Sequence, residues 1–174
     1  PVNPDDDSYY DLPGQSPEAA NLYEHCARAV RRGLRFGERG LPLIGSGDWN
    51  DGMNLVGVGG KGESVWLGFF LCEVLRRFAG LAESRDDGDF AALCRGEGER
   101  LRGNLEQHGW DGAWYRRAYF DDGTPLGSAA NAECQLDSIA QSWSVLSGAA
   151  DATRARLAMA AVDERLVRRK DGLV

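Results

Sequence analysis

The apolar positions of this chain fall into helical stripes, separated by two long stretches that have no period. From Ser16, the order Ser16-Pro17-Glu18 reads as an N-cap, a proline at the first helical position and an acidic first turn. Leu22, Cys26, Ala29, Val30 and Leu34 recur at spacings of three and four, which predicts a first helix ended by Gly37 and Gly40. A second helix is predicted from about Glu63 to Ala82. Its apolar set, with Val65, Trp66, Phe69, Phe70, Leu71, Val74, Leu75 and Phe78, covers most of the circumference, the pattern of a buried helix. Glu63 is placed to cap it, its charge favoured at a helix N-terminus. A third helix follows over about Asp87 to His108. Two more cover Asp137 to Leu146 and Asp151 to Arg169, parted by Ser147-Gly148.

The first aperiodic stretch, Leu41 to Gly62, is rich in glycine yet carries Leu41, Leu43, Ile44, Trp49, Met53, Leu55 and Val56. A loop that long and that apolar is expected to be ordered and functional. The second, Trp110 to Gly127, is aromatic. Asp111-Gly112 and Asp122-Gly123 mark turns around an extended piece, Ala113 to Phe120, that suits a β-hairpin. The fold class expected is all-α, with helical hairpins and at most one short β-hairpin, as in an α/α barrel or solenoid. A closed barrel of six helix pairs needs about twice this length, so the chain reads as part of one.

Composition narrows the function classes. The chain has 174 residues, 43% of them hydrophobic, enough for a real core. A net charge of −7 argues against a nucleic-acid surface. The longest apolar run, Val65 to Leu71, is too short to cross a bilayer. Pro1 opening onto Asp5-Asp6-Asp7 is unlike a signal peptide and reads as a mature product or an excised piece. Cys26, Cys72, Cys94 and Cys134 are widely spaced with no CxxC, which argues against zinc and for buried free thiols in a reducing compartment. The location expected is the cytoplasm, with the chain either alone or as the cytoplasmic part of a larger membrane protein. No metal or cofactor is called for. Part of a barrel leaves apolar helix faces uncovered, so homo-oligomerisation is expected.

The candidate chemistry lies in Gly45-Ser46-Gly47-Asp48-Trp49-Asn50-Asp51-Gly52. Breaking a glycosidic bond needs a carboxylic acid poised to protonate the leaving oxygen. Trp49 is a platform for the apolar face of a sugar ring, and Asp48 and Asn50 suit its hydroxyls. Composition alone leaves this balanced against a plain turn, because Asp, Asn and Gly are also the ordinary turn formers. A calcium loop fails on spacing, since Met53 stands where its glycine belongs. A phosphate loop fails because Gly60-Lys61 is followed by Gly62 and not by Ser or Thr.

The run from Gly40 through Gly45-Ser46-Gly47-Asp48-Trp49-Asn50-Asp51-Gly52-Met53-Asn54, followed by Gly60-Lys61-Gly62-Glu63-Ser64-Val65-Trp66-Leu67, resembles glycoside hydrolase family 94. These are the inverting β-glucoside phosphorylases, together with the phosphorylase-like domain of cyclic β-1,2-glucan synthases. Trp110-Asp111-Gly112-Ala113-Trp114-Tyr115-Arg116-Arg117-Ala118-Tyr119-Phe120-Asp121-Asp122-Gly123 and Gln141-Ser142-Trp143 fit the same family. The resemblance covers nearly all of the chain beyond the first helix and is closest to the β-1,2-glucan branch. It implies an (α/α)6 barrel, with Asp51 as the general acid and Trp49 lining the subsite of the sugar whose bond breaks. Inorganic phosphate is then the nucleophile, a β-glucan oligosaccharide the other substrate, and an α-sugar 1-phosphate the product.

The family also places sugar-binding residues upstream of this block, and a histidine and a Glu-Asn-Gly segment downstream. Neither set is matched here, where the histidines are His25 and His108. The 174 residues are therefore expected to be inactive by themselves. The rival expectations are an inverting hydrolase that uses water, and a carbohydrate-binding remnant without catalysis. Of the remaining residues, Lys61 is expected to be a solvated loop lysine, Arg116 and Arg117 to pair with Asp121 or Asp122, and Trp143 to pack in the core.

Overall fold

A computed structural model describes Leu12 and residues 14–174; the Asp5-Asp6-Asp7 run lies outside the described residues. Among them are five α-helices and one small antiparallel sheet, so the chain is essentially helical, consistent with the helical hairpins of an (α/α)6 barrel. It divides into two units, one reaching to Arg32 and one spanning Gly33–Val174.

The first unit is dominated by helix α1, Leu22–Gly33. It starts later than Ser16-Pro17 predicts. The Ser16 hydroxyl accepts only from the N–H of Glu18, whereas Asn21 Oδ1 accepts from the N–H of Glu24 at 2.9 Å and so caps the helix. It also ends earlier, at Gly33, before Gly37 and Gly40.

In the second unit, α2 (Val65–Glu83) and α3 (Gly88–Asn104) form a hairpin around residues 84–87. Asp87 caps α3 by accepting from the N–H of Phe90. The inner face of α2 carries Val65, Phe69, Leu75 and Ala79, all almost wholly buried. Each Val, Leu or Phe buried this way contributes about 1.5–3 kcal/mol. Phe70 and Leu81 remain partly exposed, so α2 is not buried all round as its pattern predicts. A π-turn, Leu105–Gly109, closes α3. Helices α4 (Ser138–Leu146) and α5 (Ala152–Arg165) form the second hairpin, capped by Asp137 and Asp151. Trp143 of α4 packs edge-on against Trp66 and Phe70 of α2, but is half-buried and not part of the buried core its reading predicts.

Strands β1 (Glu63–Ser64), β2 (Ala118–Tyr119) and β3 (Pro125–Leu126) lie in that order, with Glu63 opposite Tyr119 and Ala118 opposite Leu126. The expected hairpin is β2–β3, turned by Asp122-Gly123. Strand β1 is an addition that joins the glycine-rich loop to it. The loop is indeed ordered. Ile44 and Val56 are buried with Ala118, against Met53, Phe120 and Leu126. Ile44 donates its N–H to Gly62, and the N–H of Asp121 reaches the carbonyl of Val56.

Glu63 is not the cap of α2. That part falls to Ser64, whose Oγ accepts from the N–H of Leu67 at 3.0 Å. Glu63 is wholly buried and turns the other way. Its carboxylate accepts from the backbone N–H groups of Arg39 (3.1 Å) and Leu41 (3.0 Å) and from Arg39 Nη1 (3.2 Å). Gly37 makes room for it, since a Cβ there would lie 2.5 Å from the Glu63 side chain. Arg39 in turn lies over the Tyr119 ring at 4.0 Å. Removing this carboxylate strands a half-buried cation and two N–H groups. Glu63→Ala is expected to lower unfolding free energy by about 3 kcal/mol or more in urea titration. The control Glu38→Ala, on an exposed residue of the same turn, should stay within about 0.5 kcal/mol.

Candidate active site

The two aspartates of the loop, three residues apart, occupy opposite environments. The side chain of Asp48 is fully buried, whereas Asp51 is exposed and Trp49 is 73% exposed. Asp51 begins a single 3-10 turn, Asp51–Met53, capped by Asn50. Asn50 Oδ1 accepts from the N–H of Gly52 at 3.0 Å, and its carbonyl accepts from the N–H of Met53. The loop therefore presents Trp49, Asn50 and Asp51 outward and anchors itself through Asp48.

The anchor is Arg117, itself 1% exposed. Its guanidinium grips Asp48 with two parallel bonds, Nη1 to Oδ2 at 2.7 Å and Nη2 to Oδ1 at 2.8 Å. Ser64 Oγ donates to Asp48 Oδ2 at 2.7 Å, and the N–H of Asn50 donates to Oδ1 at 3.2 Å. Nε of Arg117 reaches Asp137 Oδ2 at 3.1 Å, at the cap of α4. The expected pairing of the two arginines with Asp121 or Asp122 does not occur. Arg116 pairs with Asp111 at 2.6 Å. Asp121 is occupied by backbone, accepting from the N–H groups of Gly59, Lys61 and Gly62 at 2.6–2.8 Å. Those bonds, Gly59's foremost, hold its carboxyl below the ordinary aspartate value.

Asp48 was expected at sugar hydroxyls beside Asn50. Both of its oxygens are instead occupied by protein donors, four in all, which matches the acceptor capacity of a carboxylate. Sequence reasoning did not single out the network of Ser64, Arg117 and Asp137. Gln141 was also missed: it is buried, and its amide pairs with both the N–H and the C=O of Tyr115. For Ser64, Arg117 and Gln141 the available signal was their position inside the blocks that carry the family likeness; Asp137 lies outside those blocks. All four cysteines are free. Cys72 and Cys94 are buried, Cys26 partly so, and Cys134 is exposed in a loop, contrary to the expectation that all would be buried. Among the described residues no group of three or more His, Cys, Asp or Glu is placed to hold a metal. No helix there is long and apolar enough to cross a membrane.

Burial pushes the Asp48 carboxyl upward, but its bonds to Arg117 and Ser64 prevail and hold it below the ordinary 3.8. The stabilisation linked to this lowered value is complete above 3.8 and is lost as pH falls through the lower folded value. Asp48→Asn should therefore lower Tm at neutral pH and flatten the fall of Tm below pH 3.8. Part of the acid limb should persist, because Asp121 is also held low.

A family model for the glycosyl hydrolase 94 superfamily, catalytic domain, matches residues 3–174. Over 162 residues the chain is 55% identical to the cyclic beta-(1,2)-glucan synthase NdvB of Rhizobium meliloti strain 1021, covering 92% of this chain and 6% of that protein. It is 40% identical over 151 residues to the solabiose phosphorylase of Paenibacillus borealis, covering 85% of this chain and 20% of that enzyme. To the cellobionic acid phosphorylase of Neurospora crassa it is 31% identical over 156 residues, covering 89% and 20%. The chain thus spans a fifth or less of the length of these relatives. The family match runs over both the glycine-rich loop and the segment that supplies Arg117, and the chain belongs to the glycosyl hydrolase 94 superfamily, within its catalytic domain.

Proposed function

We propose that residues 1–174 are part of a phosphorylase-type (α/α)6-barrel catalytic domain and supply the proton donor for inverting phosphorolysis of a β-linked glucan. The observation that carries this reading is the division of labour in the loop, with Asp48 buried and ionised against Arg117 while Trp49 and Asp51 stand exposed. The likeness to a cyclic beta-(1,2)-glucan synthase favours β-1,2-linked glucose as substrate. The phosphorylases among the relatives favour phosphate over water as the nucleophile.

In this mechanism the sugar stacks on Trp49, and the Asn50 amide donates to one of its hydroxyls. A phosphate oxygen attacks the anomeric carbon from the face opposite the leaving group. As the glycosidic C–O bond breaks, Asp51 passes its proton to the departing oxygen, and the proton that phosphate gives up restores the acid. The products are a shortened glucan and α-glucose 1-phosphate, with inversion at the anomeric carbon. Phosphate is already an anion, so no separate base is required, and no other cofactor enters. The free thiols favour a reducing, cytoplasmic setting.

The full-length protein, given β-1,2-glucooligosaccharide and phosphate, should release α-glucose 1-phosphate, and Asp51→Asn should lower that rate by about 10²–10⁴-fold. Equal rates would overturn the part given to Asp51, and phosphate-independent release of glucose would point to a hydrolase. The 174 residues alone should form no product. Trp49→Ala should weaken oligosaccharide binding about tenfold in calorimetry, the loss of roughly 1.4 kcal/mol of stacking.

A further inference from the structure

The exposed acid owes its place to a buried group that touches no sugar. We propose that the Arg117–Asp48 pair is a positioning device for Asp51, fixing the acid-bearing turn against the ends of two helices. The proposal rests on Asp51 being the acid.

Three sets of bonds carry it. The first fixes Asp48 itself. The two parallel Arg117 bonds define the plane and the direction of its carboxylate, which a single contact would not. The second refers that carboxylate to the scaffold. Ser64 Oγ, which donates to Asp48 Oδ2, also accepts from the N–H of Leu67 in the first turn of α2. Asp137, which holds Arg117 Nε, accepts from the N–H of Ile139 in the first turn of α4. Asp48 is thereby located relative to two rigid helix starts.

The third set runs from Asp48 to the acid. The N–H of Asn50 donates to Asp48 Oδ1, the N–H of Gly52 to Asn50 Oδ1, and the N–H of Met53 to the carbonyl of Asn50. These bonds bracket Asp51 on both sides. No hydrogen bond holds its carboxylate among the described residues, so the backbone, which sets the position of Cα and the direction of the Cα–Cβ bond, is what the network can fix. A displacement of Asp48 is passed directly to Asp51. An acid must stand within hydrogen-bond reach of the leaving oxygen, and a misplacement of about 1 Å costs about 10²-fold in rate.

The pair is also a costly way to gain stability alone. Buried ion pairs are often no more stabilising than apolar residues of the same volume. Their best-attested return is the selection of one geometry, which is what an otherwise glycine-rich loop lacks.

A leaving group that departs without a proton separates positioning of the acid from general damage. In the full-length protein, phosphorolysis of a β-1,2-glucooligosaccharide is compared with that of 2,4-dinitrophenyl β-glucoside, whose phenolate is stable unprotonated. The variants are Asp51→Asn, Asp48→Asn and, as a milder change at the same network, Ser64→Ala. The ratio of the two rates does not depend on how much of a variant is folded. Ser64→Ala keeps the test open if Asp48→Asn does not fold.

On the oligosaccharide, Asp48→Asn should lower kcat by about 10²-fold with KM little changed, and Ser64→Ala by less. On the aryl glucoside both variants, like Asp51→Asn, should regain most of the lost rate. If Asp51→Asn regains its rate while Asp48→Asn and Ser64→Ala lose equally on both substrates, the pair is merely structural and the proposal falls. If Asp51→Asn itself loses equally on both, the assignment of the acid fails, and this proposal falls with it.

Discussion

One buried guanidinium organises the second unit. Arg117 sits beside Ala118 of β2, grips Asp48 in the middle of the glycine-rich loop, meets Ser64 where β1 passes into α2, and reaches Asp137 at the start of α4. Four segments distant in sequence are referred to one cation. Taking such a charge out of water costs several kcal/mol, which only near-complete solvation by protein groups offsets. Gly127 lets the chain after β3 lie close against the Arg117 backbone. A Cβ there would lie 2.6 Å from the Arg117 N–H, and its positive φ of 77° lets β3 turn away while staying close.

A second buried charge works alongside the first. Glu63 and Ser64 are consecutive in β1, so their side chains leave opposite faces of the strand. Ser64 serves the Arg117 network, and Glu63 serves the turn from Gly37 to Leu41, with Arg39 carried over Tyr119, the residue paired with Glu63 across the sheet. Asp121 closes a third point, gathering the N–H groups of Gly59, Lys61 and Gly62. The glycine-rich loop is thus held by three carboxylates, at its start, its middle and its end. That is why a segment with so little regular structure presents Trp49 and Asp51 from a defined place.

What the sequence made legible was what is local. The helices α2 to α5 follow from periodicity, and Asp87, Asp137 and Asp151 cap α3, α4 and α5 with bonds spanning two or three residues. The hairpin turn at Asp122-Gly123 is local too. Pairing across long separations was not legible. Arg117 and Asp48 lie 69 residues apart, and Asp121, four residues away, looked the nearer partner. Only the fold shows that Asp121 is already engaged by backbone. The exchange of parts between Glu63 and Ser64 has the same origin. Either residue can cap a helix, and the choice is made by a turn at residues 37–41 that no window around α2 contains. At α1 the miss was local: Ser16 and Asn21 are both good caps, and the later one won.

The same tertiary pairing bears on which aspartate donates a proton. A donor must hold its proton at the working pH. Against Arg117 the Asp48 carboxyl is held below the ordinary aspartate range, so near neutrality it is an anion with nothing to give. Its four acceptor sites are also occupied, which leaves no room for a glycosidic oxygen to approach. Asp51 is free of the second obstacle, being exposed on the turn that follows Trp49. Two residues of one type in one loop are thus separated by environment into an electrostatic anchor and a candidate acid. Family likeness implies Asp51 as the acid; the ion pair speaks only to Asp48, which it makes unsuited to that part.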